Sequence, residues 1–347
     1  MNSQSKPNPA AENSRRDFLQ KIGTLAAASE LVANASAAPQ QPAPAPMPMV
    51  RFGKHMVSRL IVGSNTLGGL SHLSSMIDVE MRAWHTPERL MQTFKHCEEI
   101  GINCNESGRR IPEYNAEHGG KMLFTLRGSA KLGNETEARP WVHPKDIAKL
   151  GPIGIHHQGA GENGTDAWWR KGQLNAVREY CKMIRDTGVL VAVTSHRPEV
   201  FDIIESQDWD VDYYMTCLYK YGRTQAEWEK SFAPNPGMAP AELYHTKEGN
   251  SEHYGGETSF VRGDPAEMYK VIKKTRKPCF VYKILASGRL CEKPEFVEAA
   301  FKECFATIKP IDAVVVGMYD KHIDQYAVNA EYVRRYGSNT GTSSSAA

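Results

Sequence analysis

The chain has 347 residues, a net charge of +2, 41% apolar and 24% charged side chains. That length suffices for one large α/β domain with a sizeable core, the composition is that of a soluble globular protein, and the charge gives no general reason to expect a nucleic-acid partner. No stretch of roughly 18 apolar residues follows the N-terminal segment, which argues against a membrane span in the mature chain. The seven cysteines are scattered without zinc-site spacing and read as buried free thiols.

In chain order, the first feature is Ser14-Arg15-Arg16-Asp17-Phe18-Leu19-Gln20. A mildly apolar stretch runs from Ile22 to Val32, and Ala35-Ser36-Ala37 supplies a small-x-small cleavage site. These are the regions of a secretory signal, and the arginine pair marks the twin-arginine route. Residues 1–37 are therefore expected to be a signal peptide read by the twin-arginine export machinery. The mature protein would be periplasmic or otherwise exported. A Pro/Ala-rich linker is expected over 38–50, and a disordered Gly/Ser/Thr tail over 337–347.

From Arg51 to about Tyr336 short apolar or β-branched runs alternate with helix-period stretches, the pattern of βα units around a parallel sheet. Strands are predicted at 60–63, 101–105, 122–126, 153–157, 189–194, 211–217, 279–285 and 313–317. Helices are predicted at 87–100, 173–187, 265–275, 294–308 and 322–335, several opening on a proline that suits a first helical turn. Eight units in one domain close best as a (β/α)8 TIM barrel. The alternative, a doubly wound sheet, lacks its glycine fingerprint: Gly63-Ser64-Asn65-Thr66-Leu67-Gly68-Gly69 does not have the required order. The longest loop, 220–264, follows the sixth strand and carries Trp228, Pro234, Pro236, Tyr244, His245 and Tyr254, a lid in prospect.

Several segments resemble aldo/keto reductases: Val57-Ser58-Arg59-Leu60-Ile61-Val62-Gly63 with Leu67-Gly68-Gly69, Gly101-Ile102-Asn103, and Val193-Thr194-Ser195-His196. Val315-Val316-Gly317-Met318, with Gln325 and Asn329, resembles the segment that holds the adenosine end of NADP. The resemblance spans nearly the whole mature chain. It implies an NADP-linked oxidoreductase of a small polar carbonyl compound or sugar, with NADP held by Gly317, Lys321, His322, Gln325 and Asn329. An exported enzyme would have to take up that cofactor before export. The family's Asp–Tyr–Lys–His tetrad is carried over incompletely. Its Asp falls on Glu106, its Tyr on Ile111 with Tyr114 displaced nearby, its Lys on Arg127, and its His on His156 or His157.

The residues themselves supply a broader set. Strand ends at the C-terminal face of a barrel read as catalytic. That rule collects Glu106, Arg127, His157 and Lys283 as catalytic candidates, and Asn65, Trp168, Trp169, His196 and Tyr219 as substrate contacts. Lys283 stands in the otherwise apolar Val281-Tyr282-Lys283-Ile284-Leu285, where a charge needs an ion-pair partner such as Glu106 or a chemical role. Two further readings compete with the reductase. One is a redox-free sugar lyase, isomerase or hydrolase with a divalent metal on Glu106, His157 and His196 and Lys283 as acid/base. The other is a binding protein on a barrel that has lost its chemistry. The export signal makes a direct prediction: replacing Arg15 and Arg16 by Lys should leave the precursor in the cytoplasm, and fractionation followed by immunoblotting checks it.

Overall fold

The computed structural model describes residues 45–133, 135–137, 140–223, 227 and 260–338. The expected export signal, the expected linker as far as residue 44, the expected tail from residue 339 and most of the long loop after the sixth strand lie outside the described residues. So do Trp228, Pro234, Pro236, Tyr244, His245 and Tyr254.

The chain begins with an antiparallel hairpin, β1 (Met49–Phe52) and β2 (His55–Ser58). Gly53 turns it with φ +58°, a conformation glycine adopts without steric cost. Eight parallel strands follow: β3 (Leu60–Val62), β4 (Cys104–Asn105), β5 (Leu123–Gly128), β6 (Gly154–His157), β7 (Leu190–Ser195), β8 (Tyr213–Cys217), β9 (Cys279–Tyr282) and β10 (Ala313–Val316). They close into a barrel in the order β10-β3-β4-β5-β6-β7-β8-β9, so the expected (β/α)8 barrel is what the chain forms. The strands are Val/Ile-rich or aromatic and buried on both sides, as a parallel sheet covered by helices requires.

The helices are α1 (Ser64–Leu67), α2 (Ser75–Trp84), α3 (Pro87–Glu99), α4 (Ile111–His118), α5 (Pro144–Ala148), α6 (Thr165–Arg170), α7 (Asn175–Arg185), α8 (Pro198–Ser206), α9 (Asp264–Lys274), α10 (Pro294–Thr307) and α11 (Gln325–Tyr336). Their starts follow from the sequence. Pro87, Pro198 and Pro294 open three of them, and Thr86 caps α3 by accepting the Arg89 N–H at 3.2 Å. On α7, Val177, Tyr180, Cys181 and Ile184 recur at helical spacing and form its buried face. Six of the seven cysteines are buried free thiols and Cys291 is exposed. Among the described residues no helix is long and apolar enough to cross a membrane.

Alternation along each strand sorts side chains between two cores. Leu60, Val62, Ile155, Val191, Val193, Val281 and Val314 face the helices. Ile61, Cys104, Ala192, Tyr213, Met215, Phe280, Ala313 and Val315 face the lumen. The hairpin belongs to the lumen core: Val50, Phe52 and Val57 pack with it, and the Phe52 ring lies 4.5 Å from Tyr213 and 4.6 Å from Phe280 between centroids. The sequence reading placed Met49 and Val50 in the linker. Their alternating burial around the Gly53 turn makes them the first strand of this plug instead. Phe52→Ala should cost about 3–5 kcal/mol, the usual loss for truncating a buried aromatic, read from denaturant midpoints.

Candidate active site

Extending the same alternation to the C-terminal ends of the strands gives the top layer of the lumen. Glu106 is two residues beyond Cys104, Arg127 two beyond Thr125, His156 two beyond Gly154, and Tyr282 two beyond Phe280. His196 follows Thr194 by the same step. All five line an open cleft of about 1490 Å³ at the barrel mouth, together with Asn65, His72, Thr194, Lys283, Ser287 and Gly317.

Local turns aim these groups. Asn105 accepts the Ser107 and Gly108 N–H groups on its side-chain oxygen at 2.8 and 3.1 Å, bending the chain just past Glu106. Glu106 keeps its own N–H in the barrel ladder, donating to the Val62 carbonyl at 2.9 Å. Its carboxylate accepts from Ser64 Oγ at 2.6 Å and lies 3.5 Å from His156 Nε2. Burial raises the Glu106 pKa, against the opposing pull of Arg127 and Ser64. Burial, with Arg127 and His157 nearby, lowers His156 to about 3, so His156 is a neutral imidazole.

A second group is built from β7, α6, β8 and β9. Asp166, in the first turn of α6, accepts from Ser195 Oγ at 2.6 Å and from His196 Nδ1 at 2.7 Å. On its other nitrogen His196 meets the Tyr282 hydroxyl at 3.1 Å. Cys217, opposite Tyr282 in the β8–β9 register, hydrogen-bonds to the same imidazole. Burial opposes the charge on His196, but Cys217 and Asp166 outweigh it and raise the imidazole to about 9. Burial likewise pushes the Cys217 thiol up. The charges of His196 and Lys283 more than reverse that and leave it below the ordinary thiol range. His196 is thus a cation at neutral pH while His156, in the same cleft, is not.

The structure divides the sequence-derived candidates. Glu106, Arg127, Lys283, Asn65 and His196 share the cleft, and so do Gly317, His322 and Gln325. Lys283 does not pair with Glu106; its ammonium sits 5.1 Å from the Phe260 ring centroid. His157 is corrected. It falls on the outward parity of β6, where its Nε2 accepts the Ala130 N–H at 2.9 Å and its Nδ1 meets Thr165 Oγ1 at 2.8 Å. His156 takes the inward position. The metal set Glu106, His157 and His196 is therefore not assembled, and among the described residues no group of three or more His, Cys, Asp or Glu is placed to hold a metal ion. Trp168, Trp169 and Tyr219 are corrected as well. Trp168 donates to the Asn163 carbonyl at 3.2 Å, Trp169 carries Arg197 over its ring at 4.7 Å, and Tyr219 packs on Phe260 at 4.9 Å, all outside the cleft lining. Of the cofactor set, Lys321 pairs with Glu80, Gln325 accepts the Tyr319 N–H at 2.9 Å, and Asn329 is buried in the helix layer.

Asp166, Tyr282, Cys217 and His72 escaped the sequence reading. Tyr282 had a readable signal, since it precedes Lys283 at a strand end. Asp166 joins the site only through a pairing 30 residues away in sequence.

No protein-family model matches the chain, and no curated protein does. Among solved structures it is similar to a truncated 3-deoxy-D-arabino-heptulosonate 7-phosphate synthase from Thermotoga maritima. The identity is 11%, the match covers 84% of this chain and 90% of that one, and the TM-score is 0.43. It is also similar to the N-acetylmannosamine-6-phosphate 2-epimerase from Clostridium perfringens, at 12% identity, covering 67% of this chain and 80% of that one, with a TM-score of 0.35. Likeness at this level is to the barrel alone.

The NADP-linked reductase implied by the aldo/keto reductase resemblance is corrected. The site departs from that family's. Ile111 is buried among the helices, and the displaced Tyr114 donates its hydroxyl to Glu98 at 2.6 Å, on the outer side of the barrel. Of the phenols lining the cleft, Tyr319 follows β10 and Tyr282 ends β9, joined to a charged imidazole; neither is at the family's position.

The corrected histidine carries a prediction. Burial lowers His157 to about 4, from 6.5. Its folded pKa is depressed, so its contribution is present above about pH 6.5 and is lost as pH falls toward 4. Stability should therefore fall by about 1.4 kcal/mol per pH unit for this one proton. In His157→Gln the slope of stability against pH between 6 and 4.5 should flatten by about one proton, checked by urea unfolding across that range.

Proposed function

We propose that the chain is a redox-free enzyme, a lyase or isomerase of small sugars or related hydroxy-carbonyl compounds, that works by proton transfer. The observation that carries the reading is the pairing, in one cleft, of a carboxyl with raised proton affinity and an imidazole that keeps its proton. The two come from different parts of the mouth, after β4 and after β7, with β5 and β6 between them. Environments that push titratable groups apart in this way assign acid and base.

Glu106 is the base. Its carboxylate faces the cleft, and its raised pKa brings it nearer the working pH, where proton abstraction from carbon next to a carbonyl is most effective. Ser64 Oγ holds one oxygen and leaves the carboxylate oriented. His196 is the acid, delivering a proton to a carbonyl or leaving oxygen directly or through the Tyr282 hydroxyl. Asp166 fixes the imidazole by accepting from Nδ1, so the Nε2 proton is the one aimed at Tyr282 and the cleft. Asp166 and Ser195 are positioning residues. Arg127, on the strand between β4 and β6, keeps positive charge beside Glu106 and favours its ionised form. The twin-arginine pattern supports a place for this chemistry outside the cytoplasm.

The test is solvent deuterium exchange. Purified mature protein is incubated in D2O with a panel of aldoses, ketoses and sugar acids, without added nucleotide, and followed by proton NMR. Exchange next to the carbonyl, or elimination, is expected with at least one substrate. Glu106→Gln should reduce the rate by about 10²–10⁴-fold, the usual worth of a positioned base. The rate should also fall as pH rises through about 9, where His196 gives up its proton. Turnover that needs NADP(H), or that survives Glu106→Gln unchanged, overturns the reading.

A further inference from the structure

We infer that the wall of the cleft formed by the loop after β9 holds an oxyanion carried by the substrate, a carboxylate or a phosphate ester, with Lys283 as its cation. The inference rests on reading the cleft as a substrate site and adds the class of substituent that site selects.

Lys283 directly follows the last residue of β9 and lines the cleft half-buried. Among the described residues its ammonium has no ion pair with a carboxylate; it lies over the face of Phe260, and its charge acts on the Cys217 thiol and on His72. A half-buried ammonium without a carboxylate partner among the described residues is costly, and an anion entering the cleft would supply one. The carboxylates nearby are already engaged: Asp166 with Ser195 and His196, Glu80 with Lys321, Glu106 with Ser64.

The surroundings add positive charge. Lys283, Arg289 and His196 all act on His72, and together with burial, the larger cause, they lower it to about 2. His72 is therefore neutral, and its Nε2 accepts from Asn65 Nδ2 at 3.0 Å. The corner keeps a net positive field.

The backbone is held for the same purpose. Lys283, Ala286 and Ser287 have φ of +64°, +47° and +50°, three non-glycine residues in the left-handed region within one short loop. Each costs on the order of 1–3 kcal/mol and persists where the surrounding structure has a use for it. Here the turn carries Lys283 and Ser287 to the cleft wall. β9 is the seventh strand of the barrel counted from β3, and the loops after strands seven and eight are frequent phosphate sites in this architecture. This position gives Lys283 the part of an anion holder rather than the acid/base part expected from sequence.

The experiment measures binding without turnover. Mature protein is titrated calorimetrically at about pH 7 with inorganic phosphate, with glucuronate and with glucose. At least one anion should bind more tightly than glucose. Lys283→Gln should weaken it by about tenfold or more, the loss of one charge-assisted hydrogen bond, while Lys283→Arg retains most of the affinity. Lys321→Gln, at the rim beside Glu80, should bind as wild type does. Tighter phosphate assigns a phosphate ester, and tighter glucuronate a carboxylate. Glucose matching both anions, or Lys283→Gln binding like wild type, overturns the inference. Anion binding without deuterium exchange would instead remove the acid–base reading and leave this one standing.

Discussion

A strand in a closed barrel can send a side chain to only two places, into the lumen or out among the helices, and neighbours along the chain alternate between them. Everything at the mouth follows from that constraint. His156 and His157 are adjacent in sequence and share the same chemistry. One faces Glu106 across the lumen, and the other holds the backbone of the loop after β5 and the hydroxyl that begins α6. A slip of one residue in β6 would exchange their roles. The register of β6 against β5 and β7, Arg127 with His156 and His156 with Ala192, fixes which imidazole the cleft contains.

The cleft then sorts its ionisable groups by the company each keeps. Four largely buried imidazoles bear on it: His72, His156 and His196 in the lining, and His157 just outside it; His322, also in the lining, is exposed. In three burial outweighs every opposing contact and they stay neutral: His72, His156 and His157. His196 alone has both Asp166 and Cys217 against it and keeps its proton. The difference is one of partners, since burial lowers all four. It separates a charged imidazole from neutral ones without any difference in residue type, and it needs water-poor surroundings to be strong.

The barrel itself was legible in the sequence because each strand and helix announces itself locally. The predicted strand at 153–157 and the observed Gly154–His157 differ by one residue, and the predicted helix at 294–308 and Pro294–Thr307 likewise, because β-branched runs and helix-opening prolines are short-range signals. The site was legible by position only. Strand-end polarity found Glu106, Arg127, His196 and Lys283, but it could not say which neighbour faces inward, hence His157 for His156. Nor could it see Asp166, whose role exists only because α6 packs its first turn against the end of β7. The tryptophans misled for a physical reason: large aromatics on loops bury as much area by packing as by stacking on a ligand, and Trp168 and Trp169 do the former. The hairpin at Met49–Ser58 was missed because its two alternating runs are short and adjoin a proline-rich stretch.

The two ends of the barrel are built differently. At the bottom, Arg59 is buried and donates to the carbonyls of Asp312, Gly337 and Lys309 at 2.9, 2.7 and 2.9 Å. Asp312 accepts from the backbone N–H groups of Cys279 and Lys309 at 2.8 and 2.7 Å, and Phe52 closes the lumen with an apolar plug. Such an end contributes stability and is sealed. At the top, His156 Nδ1 and Thr194 Oγ1 are buried without a partner among the described residues, the loop after β9 holds three left-handed non-glycine residues, and Lys283 has no carboxylate partner among the described residues. Unsatisfied polar atoms and backbone strain are each destabilising, and natural folds keep them scarce. The strained loop after β9 stands at the C-terminal face, over a base closed by buried hydrogen bonds and aromatic packing, and it is the C-terminal face of this architecture that carries binding and reacting groups.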